Sequence, residues 1–278
     1  MKIALAQLNY TIGDIDGNAS KIIDSINKAK AQRADLVIFA EQAVSGTPAF
    51  DLLRKTTFLE LCEDALVEIV AAQGEMRHRI ALTEIPLTQG GRIGFQVENA
   101  MAAVAAAWAL GLEWPVVHAG LASFINDAAT APGRFNTFNY QGAMVIADYG
   151  HNPDAMLALV QAIDNLPSER RSVVISGAGD RRDQDIRDQT RILGAAFDSV
   201  ILYQDACQRG RADGEVLALL RQGLQDAPRT RHSEEIQGEF NAIDRALAQL
   251  NPGDLCLILV DQVEEALAHI AKRVAEVS

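Results

Sequence analysis

Lysine is absent from a long interior stretch of this 278-residue chain: Lys2, Lys21, Lys28, Lys30 and Lys55 crowd into the first 55 residues, and the next is Lys272. Between Lys55 and Lys272 every basic side chain is Arg or His. A composition break of this kind marks two segments of different origin joined in one chain. The seam is placed near Ala71–Glu75, where a helical pattern ends at Gly74. Cysteine is also scarce. Cys62, Cys207 and Cys256 stand alone, without disulfide or metal-site spacing, which suits inert thiols in a reducing cytoplasm. Long hydrophobic runs are missing: the longest, Ala100–Leu112, has thirteen residues, too short to span a bilayer. The opening MKIALAQLNY has no small-residue cleavage site, so no signal peptide is expected and the expected location is cytoplasmic. Positive charge is in deficit. A net charge of -12 argues against nucleic acid or an anionic membrane as the main partner, because both select basic surfaces.

Apolar residues make up 49% of the chain, enough for a packed core. Strand-like and helix-like patterns alternate. Lys2–Leu8 and Asp35–Phe39 read as strands, with helices over Asn18–Gln32 and Asp51–Ala72, Asp51 serving as a possible cap. Arg79–Pro86 reads as a short extended piece and Val97–Leu110 as an Ala-rich helix. Ala143–Asp148, Ser172–Ser176, Ser199–Tyr203 and Leu255–Val260 are β-branched or apolar runs. Helical patterns separate or follow them at Asp154–Asn165, Gln184–Ala196, Gly214–Leu224, Glu239–Leu250 and Gln262–Val274. The expected fold class is α/β: a Rossmann-like, mainly parallel sheet flanked by helices, preceded by an N-terminal βαβα segment.

The strings MKIALAQLNYTIGDIDGNASKI and ADLVIFAEQAVSGTPAFDLL resemble the opening of a nitrilase-superfamily amidase, in particular the glutamine-hydrolysing domain of bacterial NAD synthetases. The resemblance assigns Glu41 as general base. It also requires a downstream Lys and Cys, because the thiol must be activated and the oxyanion stabilised. This chain supplies no Lys between Lys55 and Lys272, and Cys62 comes too early. Ala40, Gln42 and Thr47 depart from the family pattern, which has Pro, Leu and an aromatic residue there. The plainer reading of Glu41 is a strand-end carboxylate satisfied by nearby donors.

Four strings after the seam stand in the order found in Mur ligases: NAMAAVAAAWALG, APGRFNTFNYQGAMVIADYGHNPDA, VVISGAGDRRDQDI and DACQRGRADGE. The GDRRD and RGR strings resemble cyanophycin synthetases in particular. The spacing places Asp148 at a strand end, His151 and Asn152 in the turn, and Pro153 at the start of a helix. By resemblance, Asn99 contacts adenine, Arg134 the nucleotide phosphates and Asp148 the ribose. His151 and Asn152 then sit near the reacting acyl phosphate. Asp180, Arg181 and Arg182, on a glycine turn suited to a carboxylate or phosphate, and Arg209 and Arg211, suited to an acidic peptide or an aspartate/arginine dipeptide, are the expected substrate-binding residues. Simpler alternatives stand beside these: Asn99 packing its helix, Asp148 capping its turn, His151 solvated, and the charged strings internally paired or on the surface.

The resemblance implies ATP, with Mg²⁺, as cofactor, and amide-bond formation through a phosphorylated carboxylate. Yet no G-x-x-x-x-G-K-[ST] string occurs, and the GGRIGF stretch at Gly90–Phe95 has no Lys. Phosphoryl transfer depends on such a cradle for positioning and charge neutralisation. The expected organisation is therefore a chimera: a nitrilase-like fragment at 1–73, the tail of a Mur-ligase central domain at 74–131, and a C-terminal-domain-like lobe at 132–278. The expected function is an incomplete amide ligase, unable to catalyse alone. The alternatives are a nitrilase-type amidase fragment and a non-catalytic scaffold. An oligomer is compatible with the sequence.

Overall fold

The computed structural model describes residues 2–40, 42–46, 52, 55–72, 80–204 and 208–277. The chain divides into two compact units, Met1–Arg79 and Ile80–Ser278.

In the first unit, β1 (Ile3–Ala6) pairs in parallel with β2 (Leu36–Phe39), with Ile3 opposite Leu36 and Ala6 opposite Phe39. Helix α1 (Ile15–Ala31) connects them, and α2 (Thr56–Ala72) follows. Ile15, Ala19, Ile22 and Ile26 recur at helical spacing on α1 and pack against Phe58, Ala65 and Ile69 of α2. Asn18 lies fully buried among them. Its side chain accepts from the Thr11 N–H at 2.9 Å and donates to the carbonyls of Thr11 and Val44 at 2.8 and 3.0 Å. The sequence predicts α1 three residues late, because Asp14 caps the helix from outside through the Gly17 N–H. The second helix begins at Thr56 rather than Asp51. Asp51 and the expected seam after Ala72 lie outside the described residues.

The second unit is built on six strands: β3 (Asn136–Tyr140), β4 (Ala143–Asp148), β5 (Arg171–Ile175), β6 (Ser199–Gln204), β7 (His232–Gln237) and β8 (Leu255–Leu259). Their order is β3-β4-β8-β5-β6-β7, and every pair is parallel except β3 with β4. Helices α3 (Gly94–Ala109) and α4 (Trp114–Ser123) precede the sheet. Helices α5 (Pro153–Asp164), α6 (Asp183–Ala196), α7 (Glu215–Gly223), α8 (Glu239–Leu247) and α9 (Val263–Val277) cover its two faces.

Strand residues alternate between two cores. Ile146, Val173, Ile175, Val200, Leu202 and Leu257 meet the buried faces of α5, α6 and α7. Val145, Val174, Ile201, Tyr203, Cys256 and Ile258 meet α8 and α9. Burial on both sides explains why the central strands read as continuous apolar runs. Residues ahead of the sheet join the same core, since Ile93 is buried in it and the Phe95 and Phe135 rings meet edge-on at 5.6 Å.

Three details differ from the sequence reading. The described part of Arg79–Pro86 is not extended: Leu82–Glu84 and Pro86–Thr88 are single 3-10 turns. Helix α4 and strand β7 were not expected. Strand β7 (HSEEIQ) is polar because it is the edge of the sheet, where Glu234 and Glu235 pair with Arg245 and Arg221. No helix among the described residues is long and apolar enough to cross a membrane.

Candidate functional site

The C-terminal ends of the parallel strands open onto a cleft of about 950 Å³. This is where open α/β sheets place ligands, and here β8 is inserted between β4 and β5. Asn99, Arg134, Asp148, His151, Asn152 and Arg181 all line it. The opposite wall is apolar and comes from α3 and α4, including Val104, Val117 and Leu121.

Asp148 ends β4 and is 8% exposed. Its Oδ2 accepts the Phe135 N–H at 2.9 Å and its Oδ1 accepts the Gly150 N–H at 2.7 Å. Burial pushes its carboxyl up from 3.8 to about 6, against the opposing pull of those two N–H donors and of the Arg134 charge. The turn carrying Arg134 has Gly133 at φ +69° and Phe135 at +57°, both left-handed. At Gly133 a side chain would meet Val263 at 2.8 Å, so glycine is required twice over. Asn136, almost fully buried, closes the turn by accepting the Gly133 N–H at 2.7 Å and donating to the Ala131 carbonyl at 2.9 Å.

Asn152 caps α5, its Oδ1 accepting the Ala155 N–H at 2.8 Å with Pro153 in the first turn. His151 is 9% exposed. Its Nδ1 donates to the Tyr149 carbonyl at 2.7 Å, which fixes the proton on Nδ1 and turns Nε2 toward Asp261 Oδ1 at 3.6 Å. Burial holds its pKa below the usual value, and the nearby Arg209 and Arg181 charges act in the same direction. The Tyr149 carbonyl and Asp261 oppose them. Asn99 donates to Gln96 Oε1 at 2.9 Å.

The arginines separate into two groups. Among the described residues neither Arg134 nor Arg181 forms an ion pair, whereas Arg182 pairs with Asp185, Arg209 with Asp261 and Asp180, and Arg211 with Asp183 and Glu215. Arg211 also donates to the carbonyls of Gly179 and Arg181 at 2.7 and 2.8 Å. Its guanidinium is taken up in holding the glycine turn. Arg182 precedes α6 and points to solvent. Asp180, Arg182, Arg209 and Arg211 do not line the cleft.

Glu41 lies outside the described residues. Cys62 packs against the core of the first unit, and burial raises its thiol pKa, the reverse of what a nucleophile needs. Two residues of the second unit escape the sequence reading. Asp261 follows β8 at a strand end, a position that the strand-end rule singles out. Glu239 opens α8 and is 2% exposed, and nothing in its local sequence marks it. The described residues contain no group of three His, Cys, Asp or Glu side chains suited to a metal ion.

Residues 133–259 match the Mur ligase glutamate ligase domain, and residues 2–83 match the carbon-nitrogen hydrolase family. Cyanophycin synthetase of Trichormus variabilis is 34% identical over 212 residues, which are 76% of this chain and 23% of that protein. Glutamine-dependent NAD(+) synthetase of Acinetobacter baylyi is 44% identical over 68 residues, 24% of this chain and 13% of that protein. The chain thus spans about a quarter of the cyanophycin synthetases it matches, and less of the NAD synthetases. A solved structure of E. coli FolC in complex with ADP aligns with a TM-score of 0.49 at 26% identity, covering 64% of this chain and 39% of that chain. Two similarities thus meet in one polypeptide: its N-terminal part is similar to carbon-nitrogen hydrolases, and its C-terminal part to the glutamate ligase domain of Mur ligases.

Proposed function

We propose that the cleft binds a nucleoside triphosphate, and that the second unit derives from an ATP-dependent amide ligase of the cyanophycin synthetase kind. The observation that carries this reading is that Arg134 and Arg181, which form no ion pair among the described residues, line one cleft in a chain of net charge -12. Arg182, Arg209 and Arg211 pair with carboxylates, and two arginines without an ion pair among the described residues in a concave site suit an anion such as a polyphosphate. The apolar α3–α4 wall suits a flat base, with Asn99 at its edge. Asp148 has both oxygens engaged by main-chain N–H groups, so it shapes the site and contributes at most a second lone pair to a ribose hydroxyl.

In this reading residues 1–73 are the nitrilase-like fragment, 74–131 the remnant of a central domain, and 132–278 the nucleotide-facing lobe. The expected partners are the nucleotide and an acidic peptide or aspartate/arginine dipeptide. Without a Walker loop, the chain by itself binds nucleotide weakly, at high micromolar to millimolar Kd, on the order of -4 to -6 kcal/mol, and does not transfer phosphate.

Calorimetry with ATP and with an aspartate-rich peptide tests the reading, on the parent and on Arg134→Ala and Arg181→Ala variants. Each variant should weaken ATP binding several-fold. Absence of binding to the parent at millimolar ligand defeats the proposal. ATP turnover by the parent defeats the claim that the chain cannot catalyse alone.

A further inference from the structure

The loops that follow all five parallel strands of the second unit are joined by one chain of charged side chains. His151 follows β4, Asp180 β5, Arg209 β6, Glu239 β7 and Asp261 β8. Asp261 Oδ1 accepts from Arg209 Nη2 at 3.0 Å and faces His151 Nε2 at 3.6 Å, and Arg209 Nη1 lies 3.5 Å from Asp180. Glu239 sits beneath. Its Oε1 accepts the Asp261 N–H at 2.8 Å, and its Oε2 accepts the Gln262 N–H at 3.1 Å and the Gln262 amide at 3.4 Å.

We propose that Glu239 is a positioning residue for the cleft, fixing through the main chain of Asp261 the carboxylate that holds Arg209 and His151. Three features support this. A glutamate that is 2% exposed is costly unless its oxygens are satisfied, and here both oxygens accept N–H groups of the loop after β8. Arg209 has φ +49°, a left-handed conformation that a non-glycine residue keeps only where the surroundings enforce it. The contacts that hold its guanidinium are Asp261, Asp180 and the Tyr149 side chain. Finally, His151 has its Nδ1 proton committed to the Tyr149 carbonyl, so Asp261 is the carboxylate that meets its Nε2 edge, with Arg209 and Arg181 as the opposing charges. The link to ligand binding rests on the nucleotide reading above. The link to His151 does not.

The test follows the imidazole titration of His151 by NMR, assigned with a His151→Gln variant, alongside the ATP dissociation constant. Asp261→Asn should lower the His151 midpoint, because the charge favouring imidazolium is gone. Glu239→Gln should move it in the same direction by less, since an amide offers an N–H to one of two main-chain donors and releases the loop. Both should weaken ATP binding roughly three- to tenfold without loss of the fold. A Glu239 that only stabilises α8 would lower the Tm and leave the His151 midpoint at its parent value. That result, or an unmoved midpoint in Asp261→Asn, overturns the proposal. Should Glu239→Gln not fold, Glu239→Asp keeps the charge but cannot span both N–H groups, and is read the same way. If the parent binds no ATP, the nucleotide reading fails and the His151 midpoint alone decides for or against Glu239.

Discussion

The carboxylate of Asp148 binds the main chain of Phe135, thirteen residues earlier, and thereby sets the turn that presents Arg134 to the cleft. The same carboxylate closes the Gly150 turn ahead of His151. One buried acid thus fixes both cationic and imidazole edges of the site, at the expense of a raised pKa.

That pKa has a measurable consequence. The folded value, about 6, lies above the ordinary 3.8, so the native state takes up a proton as pH falls through 6. Asp148 therefore costs stability above pH 6, and the cost fades as pH drops toward 4. Between pH 7 and pH 5 this group should add on the order of 1 kcal/mol of stability. Asp148→Asn should remove that increment, measured as the difference between urea midpoints at the two pH values. Burial of His151 acts in both proteins alike. Equal pH dependence in parent and variant would contradict the assignment.

Arg211 is expected to matter for folding more than its surface position suggests. Its guanidinium satisfies the Gly179 and Arg181 carbonyls as well as Asp183 and Glu215. Arg211→Ala leaves two carbonyls of the turn without that donor and should cost about 1–2 kcal/mol, read as a lower denaturation midpoint. Arg182→Ala, which removes only an exposed i,i+3 pair, should leave the midpoint where it was.

Gly179 should not tolerate alanine. An added Cβ would stand 2.1 Å from the main-chain oxygen of Gln208, which cannot move without shifting Arg209. Gly179→Ala is expected to destabilise by about 1–3 kcal/mol and to broaden the resonances of residues near Arg209. Gly210→Ala, where an added Cβ would meet nothing within 4 Å among the described residues and φ is +91°, should lose stability through backbone strain alone.

Glutamine hydrolysis should be absent. Cys62 packs into a helical core and its thiol is harder to ionise than usual, while the lysine-free interval denies the oxyanion a cation. Ammonia release from glutamine should stay at the blank rate, with Cys62→Ser indistinguishable from the parent. Release that vanishes in Glu41→Gln would reveal a working amidase site.

The sequence by itself determined the α/β character and the strands buried on both faces, because a strand covered twice must be apolar at every position, as in LCLIL of β8. It also determined the turn from Asp148 to Pro153, because Asp, Gly, Asn and Pro each act on main-chain atoms within three residues. Tertiary packing put β8 between β4 and β5, put polar β7 at the edge, and set which arginines form ion pairs. GDRRD and RGR look alike as strings, yet Arg181 lines the cleft with no ion pair among the described residues while Arg211 is consumed by a turn 30 residues away. A charged side chain's partner depends on which loops the sheet order brings together. That order is set by long-range packing, and so the contact between Glu239 and Asp261, 22 residues apart, left no mark in the local sequence of Glu239.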